Sequence, residues 1–214
     1  MKPKKILFIS NVDIRNRRGG WDGLGGKIYD LLCEAFEDVG LAEKLTPPVD
    51  TFARITSKIL RILRWPANFP AFSPKRLKQY ADLVTQNIDP AAGHLVFHGS
   101  TQWVDYRPAV PYSVYIDCAY LTYLQVYHRI GQYSKRDIER IKRKERDFLM
   151  RAHRVLFTSA WALEETRRNY ALAGTNFISI GLGPLLNIAP EDSTPLPVRN
   201  QFLFVGIDFL GKGG

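Results

Sequence analysis

Three features of this sequence have residue types and spacings that could do chemistry. The first is the run GGWDGLGGK at residues 19–27, which brings Gly23, Gly25 and Gly26 together just ahead of an apolar period. Glycines let backbone N–H groups approach an anion, and a helix start behind them favours negative charge. That dipole effect is worth about 0.3–1 kcal/mol at an exposed helix end. A turn without any ligand uses the same residues, so both readings stand. Two familiar nucleotide fingerprints do not fit. G-x-x-x-x-G-K-[ST] would need Gly at Trp21 and Ser or Thr at Ile28, and G-x-G-x-x-G from Gly23 would need Gly at Ile28.

The second feature is a pair of residues at the ends of apolar runs. Asp117 follows YSVYI, and His98 ends HLVFH just before Gly99 and Ser100. A carboxylate in that position is available for chemistry or caps a turn. His94, His98, His128 and His153 have no metal spacing. Cys33 and Cys118 stand far apart, so neither a metal site nor a disulfide framework is expected.

The third is the stretch FARITSKILRILRW at residues 52–65. Phe52, Ile55, Ile59, Ile62 and Leu63 share one side of a helix, and Arg54, Lys58, Arg61 and Arg64 lie around the other. Two readings are open: a surface helix with its apolar side on the core, or an interfacial helix on anionic lipid through Lys58, Arg61, Arg64 and Trp65. No RNA- or DNA-binding motif accompanies these charges, so nucleic acid is not expected as a partner. The basic run at 136–146 reads as a solvated helix face.

The chain as a whole bounds these possibilities. Its 214 residues are 45% hydrophobic and 24% charged, which excludes disordered and low-complexity classes. Thirty Lys and Arg against 21 Asp and Glu leave a formal charge of +9, which asks for an anionic partner. No run of 18 apolar residues exists, and the apolar stretch near the N-terminus is too short for a signal peptide. The expected location is a reducing cytoplasm, peripheral on the inner face of the plasma membrane if the basic helix binds lipid.

Strand-like and helix-like segments alternate. Residues 5–10 read as a buried strand. A helix runs from Lys27 through Ile28, Leu31, Leu32, Ala35 and Val39, with Gly40 at its C-cap. Further helices are expected over 52–65 and 75–87, and strands over 94–98 and 112–116. Ser134 with Asp137 resembles a capping box that opens a helix to Ala152. Then come a strand at 155–158, a helix at 161–170 and a strand at 177–180. The pattern predicts a doubly wound, Rossmann-like α/β domain with a parallel sheet. Ligands in such folds sit at the carboxyl ends of strands. Residues 11–26, His98 to Ser100, Asp117 and Ser159 are expected to share that rim. Residues 1–183 read as this domain, 184–200 as a Pro-rich linker, and 201–214 as the start of a second domain.

In their order and spacing these segments resemble the N-terminal half of a GT-B glycosyltransferase of the family-4 type. KILFISN with GGWDGLGGK looks like that family's first strand and glycine loop, and PYSVYIDCAY like its Asp- or His-bearing strand. ERDFLMRAHRVLFTSAWALEETRRNYAL looks like its Glu-containing helix, strand and Ser-capped helix. FISIGLG and FLFVGIDFLGKGG resemble a later strand and the opening of the second domain.

The resemblance implies an acceptor-side domain that takes part in moving a sugar from a nucleotide-sugar donor to a cell-envelope, polysaccharide or lipid-linked glycan, with retention. It implies no metal and no cofactor. Gly23, Gly25, Gly26 and Lys212 would hold the donor diphosphate. Asp117 and His98 would lie near the reacting sugar, with Asn11, Lys27 and Ser100 on the acceptor side. Ile207 stands where many members carry Arg. With its second domain missing, the chain alone is expected to be inactive. A GT-B nucleotide-sugar epimerase and a non-enzymatic basic binding module are the alternatives.

Overall fold

Strands covered on both faces must be largely apolar, and three segments of this chain meet that condition. In the computed structural model of the chain, which describes residues 5–15 and 20–181, they are β1 (Ile6–Ile9), β3 (His94–His98) and β4 (Tyr112–Ile116). Three more strands join them: β2 (Val39–Ala42), β5 (Arg154–Phe157) and β6 (Phe177–Ser179). All pair in parallel, in the order β2-β1-β3-β4-β5-β6.

Parallel neighbours need crossovers, and helices supply most of them. α1 (Gly20–Ala35) joins β1 to β2, and α2 (Thr51–Ile62) with α3 (Pro74–Asn87) joins β2 to β3. α4 (Tyr120–Tyr127) with α5 (Lys135–Arg151) joins β4 to β5, and α6 (Ala160–Tyr170) joins β5 to β6. The β3–β4 crossover holds only a single 3-10 turn, Thr101–Trp103. The result is a Rossmann-like, doubly wound α/β sheet. Its order reverses at β1, which has β2 on one side and β3 on the other, so the crevice above their carboxyl ends is the switch point.

Alternation along the strands divides the core. Leu7, Ile9, Leu95, Phe97, Val114 and Ile116 pack with Leu77 and Val84 of α3 and with Phe148 and Leu149 of α5. On the other face Ile6, Phe8 and Val96 meet Ile28 and Leu32 of α1. A third cluster holds α4 to α5 through Tyr120, Leu124, Ile138 and Ile141, with Phe69 and Tyr133.

Several local expectations are corrected. The glycine run is not a loop: α1 starts at Gly20, so Gly23, Gly25 and Gly26 are buried inside a helix. Glycine costs about 0.8–1 kcal/mol per helical position relative to alanine, and here packing overrides that preference. Gly40 caps nothing, because it lies in β2, a half-exposed edge strand identified by its pairing with β1. α4 carries no strong amphipathic period and is an addition to the sequence reading. Ser134 is the N-cap of α5 but makes no side-chain capping bond. Asp137 does not reach back to close a capping box; it accepts the Phe69 N–H at 2.8 Å and pairs with Arg140. The expected linker, 184–200, and the second-domain segment with Ile207 and Lys212 lie outside the described residues.

Candidate functional site

The rim is organised from below by one buried carboxylate. Glu145 of α5 is fully buried. Ser100 and Thr101 Oγ donate to its Oε1 at 2.6 and 2.7 Å, and Tyr120 N–H to its Oε2 at 3.0 Å. The Tyr170 hydroxyl donates to Oε2 as well, and it accepts the Leu121 N–H at 3.0 Å. The chain after β3, the start of α4 and the end of α6 are thereby tied to one side chain. Burial pushes the Glu145 carboxyl above its ordinary range, opposed by these donors. Sequence reasoning missed this role, yet a signal was available. Glu145 falls on the apolar stripe Ile138, Ile141, Glu145, Phe148, where an acid must be buried or functional.

Above this node lies a cavity of about 340 Å³. Trp21, Phe69, Phe72, Tyr120 and Tyr123 are its aromatic lining, and Asn11, Gln102 and Asp117 supply polar groups. Gln102 is held in place: its Nε2 donates to Asn11 Oδ1 at 3.1 Å and to the His98 carbonyl at 3.0 Å. Gly99 next to it has φ +88°, and a Cβ there would strike the Gln102 amide, so this turn requires glycine. Asp117 is exposed and lines the cavity, and the packing around it partly desolvates its carboxylate. That desolvation raises its pKa, and the Cys118 N–H, donating at 2.7 Å, opposes the rise. Burial also pushes the Cys118 thiol up to about 12, which keeps it protonated.

The structure separates the other candidates. His98 is completely buried and does not line the cavity. Trp21 stacks flat on its ring, with centroids 4.0 Å apart and planes 13° apart. Its Nδ1 shares a hydrogen bond with Ser10 Oγ at 3.1 Å, Nε2 has no partner among the described residues, and burial lowers its pKa to about 3. A neutral, sealed imidazole orders the rim; in this arrangement it cannot reach a substrate. Ser100 lines the cavity, but its hydroxyl is committed to Glu145.

Gly25 also has a packing reason. A Cβ there would lie 2.6 Å from His98 Cε1 and 2.9 Å from Ile14 Cγ2. Gly25 and Gly26 fall beyond the first turn of α1, where N–H groups already have intrahelical acceptors. Helix geometry leaves the N–H groups of residues 20–22 without intrahelical acceptors, and Asp22 already places negative charge there. Lys27, half-exposed on the next turn, makes its own interactions. Lys58, Arg61, Arg64 and Trp65 form a separate, exposed surface on and after α2. Lys212 lies outside the described residues. Among those described, no group of three or more His, Cys, Asp or Glu could hold a metal, and no helix is long and apolar enough to cross a membrane.

Fold and site together define a Rossmann-like, doubly wound α/β domain with a ligand-sized, aromatic-lined cavity at its switch point. Compared with known proteins, the chain matches no family model and no curated protein sequence.

Proposed function

We propose that this chain carries the acceptor-side domain of a GT-B glycosyltransferase of the family-4 type, which moves a sugar from a nucleotide-sugar to a cell-envelope or polysaccharide glycan with retention. The observation that carries this reading is the cavity, whose lining combines five aromatic residues with Asn11, Gln102 and Asp117. A sugar ring has an apolar C–H face and a rim of hydroxyls, and such a site complements both. The order of the sequence segments that resemble the family supports the same reading.

In this reading an acceptor ring stacks on the aromatic lining and one hydroxyl donates to the Asp117 carboxylate. A raised pKa makes that carboxylate the stronger proton acceptor. The donor diphosphate would approach the open N–H groups at the start of α1, with Lys212 offsetting charge as it leaves. No metal or cofactor enters the scheme. The proposed location is the cytoplasmic face of a membrane, where a lipid-linked glycan acceptor would be found.

Trp21 in the cavity wall provides the test. Titrating a panel of acceptor saccharides should change tryptophan fluorescence saturably without any nucleotide-sugar, and Asp117→Asn should weaken binding about tenfold, the share of one charge-assisted hydrogen bond. A panel that leaves the parent's fluorescence unchanged, or an Asp117→Asn variant that binds as the parent does, would overturn the assignment of this cavity.

A further inference from the structure

α2 is mounted with its apolar side outward. Phe52 is 81% exposed, Ile62 72%, and Ile55, Ile59 and Leu63 are each more than half exposed. The one buried residue of the helix is polar: Ser57, whose hydroxyl donates to the Asn68 carbonyl at 2.8 Å. A surface helix of a globular protein normally presents the opposite arrangement, apolar side in and polar side out. Of the two readings open for the sequence, the packing against the core is therefore the one not realised among the described residues.

Charge says what fits this face. Arg54, Lys58 and Arg61 line a shallow concavity beside Ile62. None of them, nor Arg64, forms an ion pair among the described residues. From Thr51 to Ala81 the chain contains no Asp or Glu. The helix ends in a Schellman turn: Trp65 N–H donates to the Leu60 carbonyl at 2.8 Å, and Arg64 N–H to the Arg61 carbonyl at 3.1 Å. Arg64 takes φ +58° to make this turn, and Trp65 beyond it is 64% exposed. Apolar crest, basic flank and terminal tryptophan are the parts of an interfacial helix.

We infer that α2 and Trp65 dock this chain on an anionic lipid bilayer, the apolar crest entering the acyl boundary and the basic flank meeting the headgroups. The inference deepens the membrane part of the proposed function and rests on it only for location. Vesicle binding is read without sugar, so its failure and that of the cavity assignment are distinguishable. The docking surface lies next to the site: Ser57 bonds the chain at Asn68, and Phe69 and Phe72 just beyond line the cavity. A bilayer seated on α2 would present a lipid-linked headgroup to the cavity mouth.

Co-sedimentation of the purified chain with vesicles tests this, using phosphatidylcholine alone and phosphatidylcholine mixed with phosphatidylglycerol. Binding is expected only to the mixed vesicles and should weaken as salt rises. Each basic residue near the surface contributes roughly fivefold in partition. The triple variant Lys58→Glu, Arg61→Glu, Arg64→Glu should therefore lose about 100-fold or more. Ile55→Ser with Ile59→Ser should abolish binding while leaving the melting curve in place, since both side chains are exposed. Equal binding to neutral vesicles, or either variant binding as the parent does, would overturn the inference. So would a parent that does not bind at all, one that self-associates through this crest instead, or one that prefers an oligonucleotide to the mixed vesicles.

Discussion

Gly25→Ala should destabilise this protein, although the same change in an ordinary helix stabilises it. The helical preference alone gains about 0.8–1 kcal/mol. Against it stands the new methyl group, 2.6 Å from His98 Cε1, 2.9 Å from His98 Nδ1 and 2.9 Å from Ile14 Cγ2. Neither neighbour can yield cheaply. Ile14 is 1% exposed, and the His98 ring is clamped by Trp21, Phe8 and the bond to Ser10. Overpacking in such a place costs about 1–3 kcal/mol. Taking the upper end and subtracting the helical gain leaves a net loss of about 2 kcal/mol, or roughly 4–8 °C in Tm for a domain of this size.

A double-mutant cycle isolates the cause. In a His98→Ala background most of the clash is gone, so Gly25→Ala should be neutral or stabilising. The coupling between the two positions should then be at least about 1.5 kcal/mol. Urea unfolding of the four proteins measures it. A Gly25→Ala protein as stable as the parent, or a coupling near zero, would refute the packing account and return Gly25 to the ligand reading.

Three further outcomes follow from the same geometry. Burial lowers the pKa of folded His98 to about 3, below the ordinary histidine value of 6.5, so the unfolded chain binds the proton first. Its contribution is complete above pH ~6.5 and is lost as pH falls toward ~3; His98→Gln should flatten the stability profile across that window, and a parallel profile would refute the assignment. Glu145→Gln replaces one acceptor oxygen with a donor among four bound donors, for an expected loss of about 3 kcal/mol in denaturant unfolding; an unchanged midpoint would remove its role as the rim's tie. Arg64→Gly relieves a left-handed backbone at φ +58° and should raise stability by about 0.5–1 kcal/mol, read as a higher Tm.

The sequence by itself determined the fold class. Runs such as ILFI and the LVF inside HLVFH are apolar on both faces and separated by helical periods, a pattern that is stable only as a parallel sheet with helices on its two sides. It also determined the rim positions of Asn11, Ser100 and Asp117, because strand ends can be read once the strands are found. Tertiary structure alone decided three things. It made a helix of the glycine run, since His98 and Ile14 leave room only for glycine at position 25. It buried Glu145 among hydroxyl and amide donors from distant parts of the chain. It also turned the apolar side of α2 outward. Periodicity gives the direction of a helix's apolar side relative to its own axis. Which way that side faces the rest of the protein depends on the anchoring of Ser57 to Asn68 and of Asp50 to Ser73. Those contacts join residues 11 and 23 positions apart, beyond the reach of any helical period.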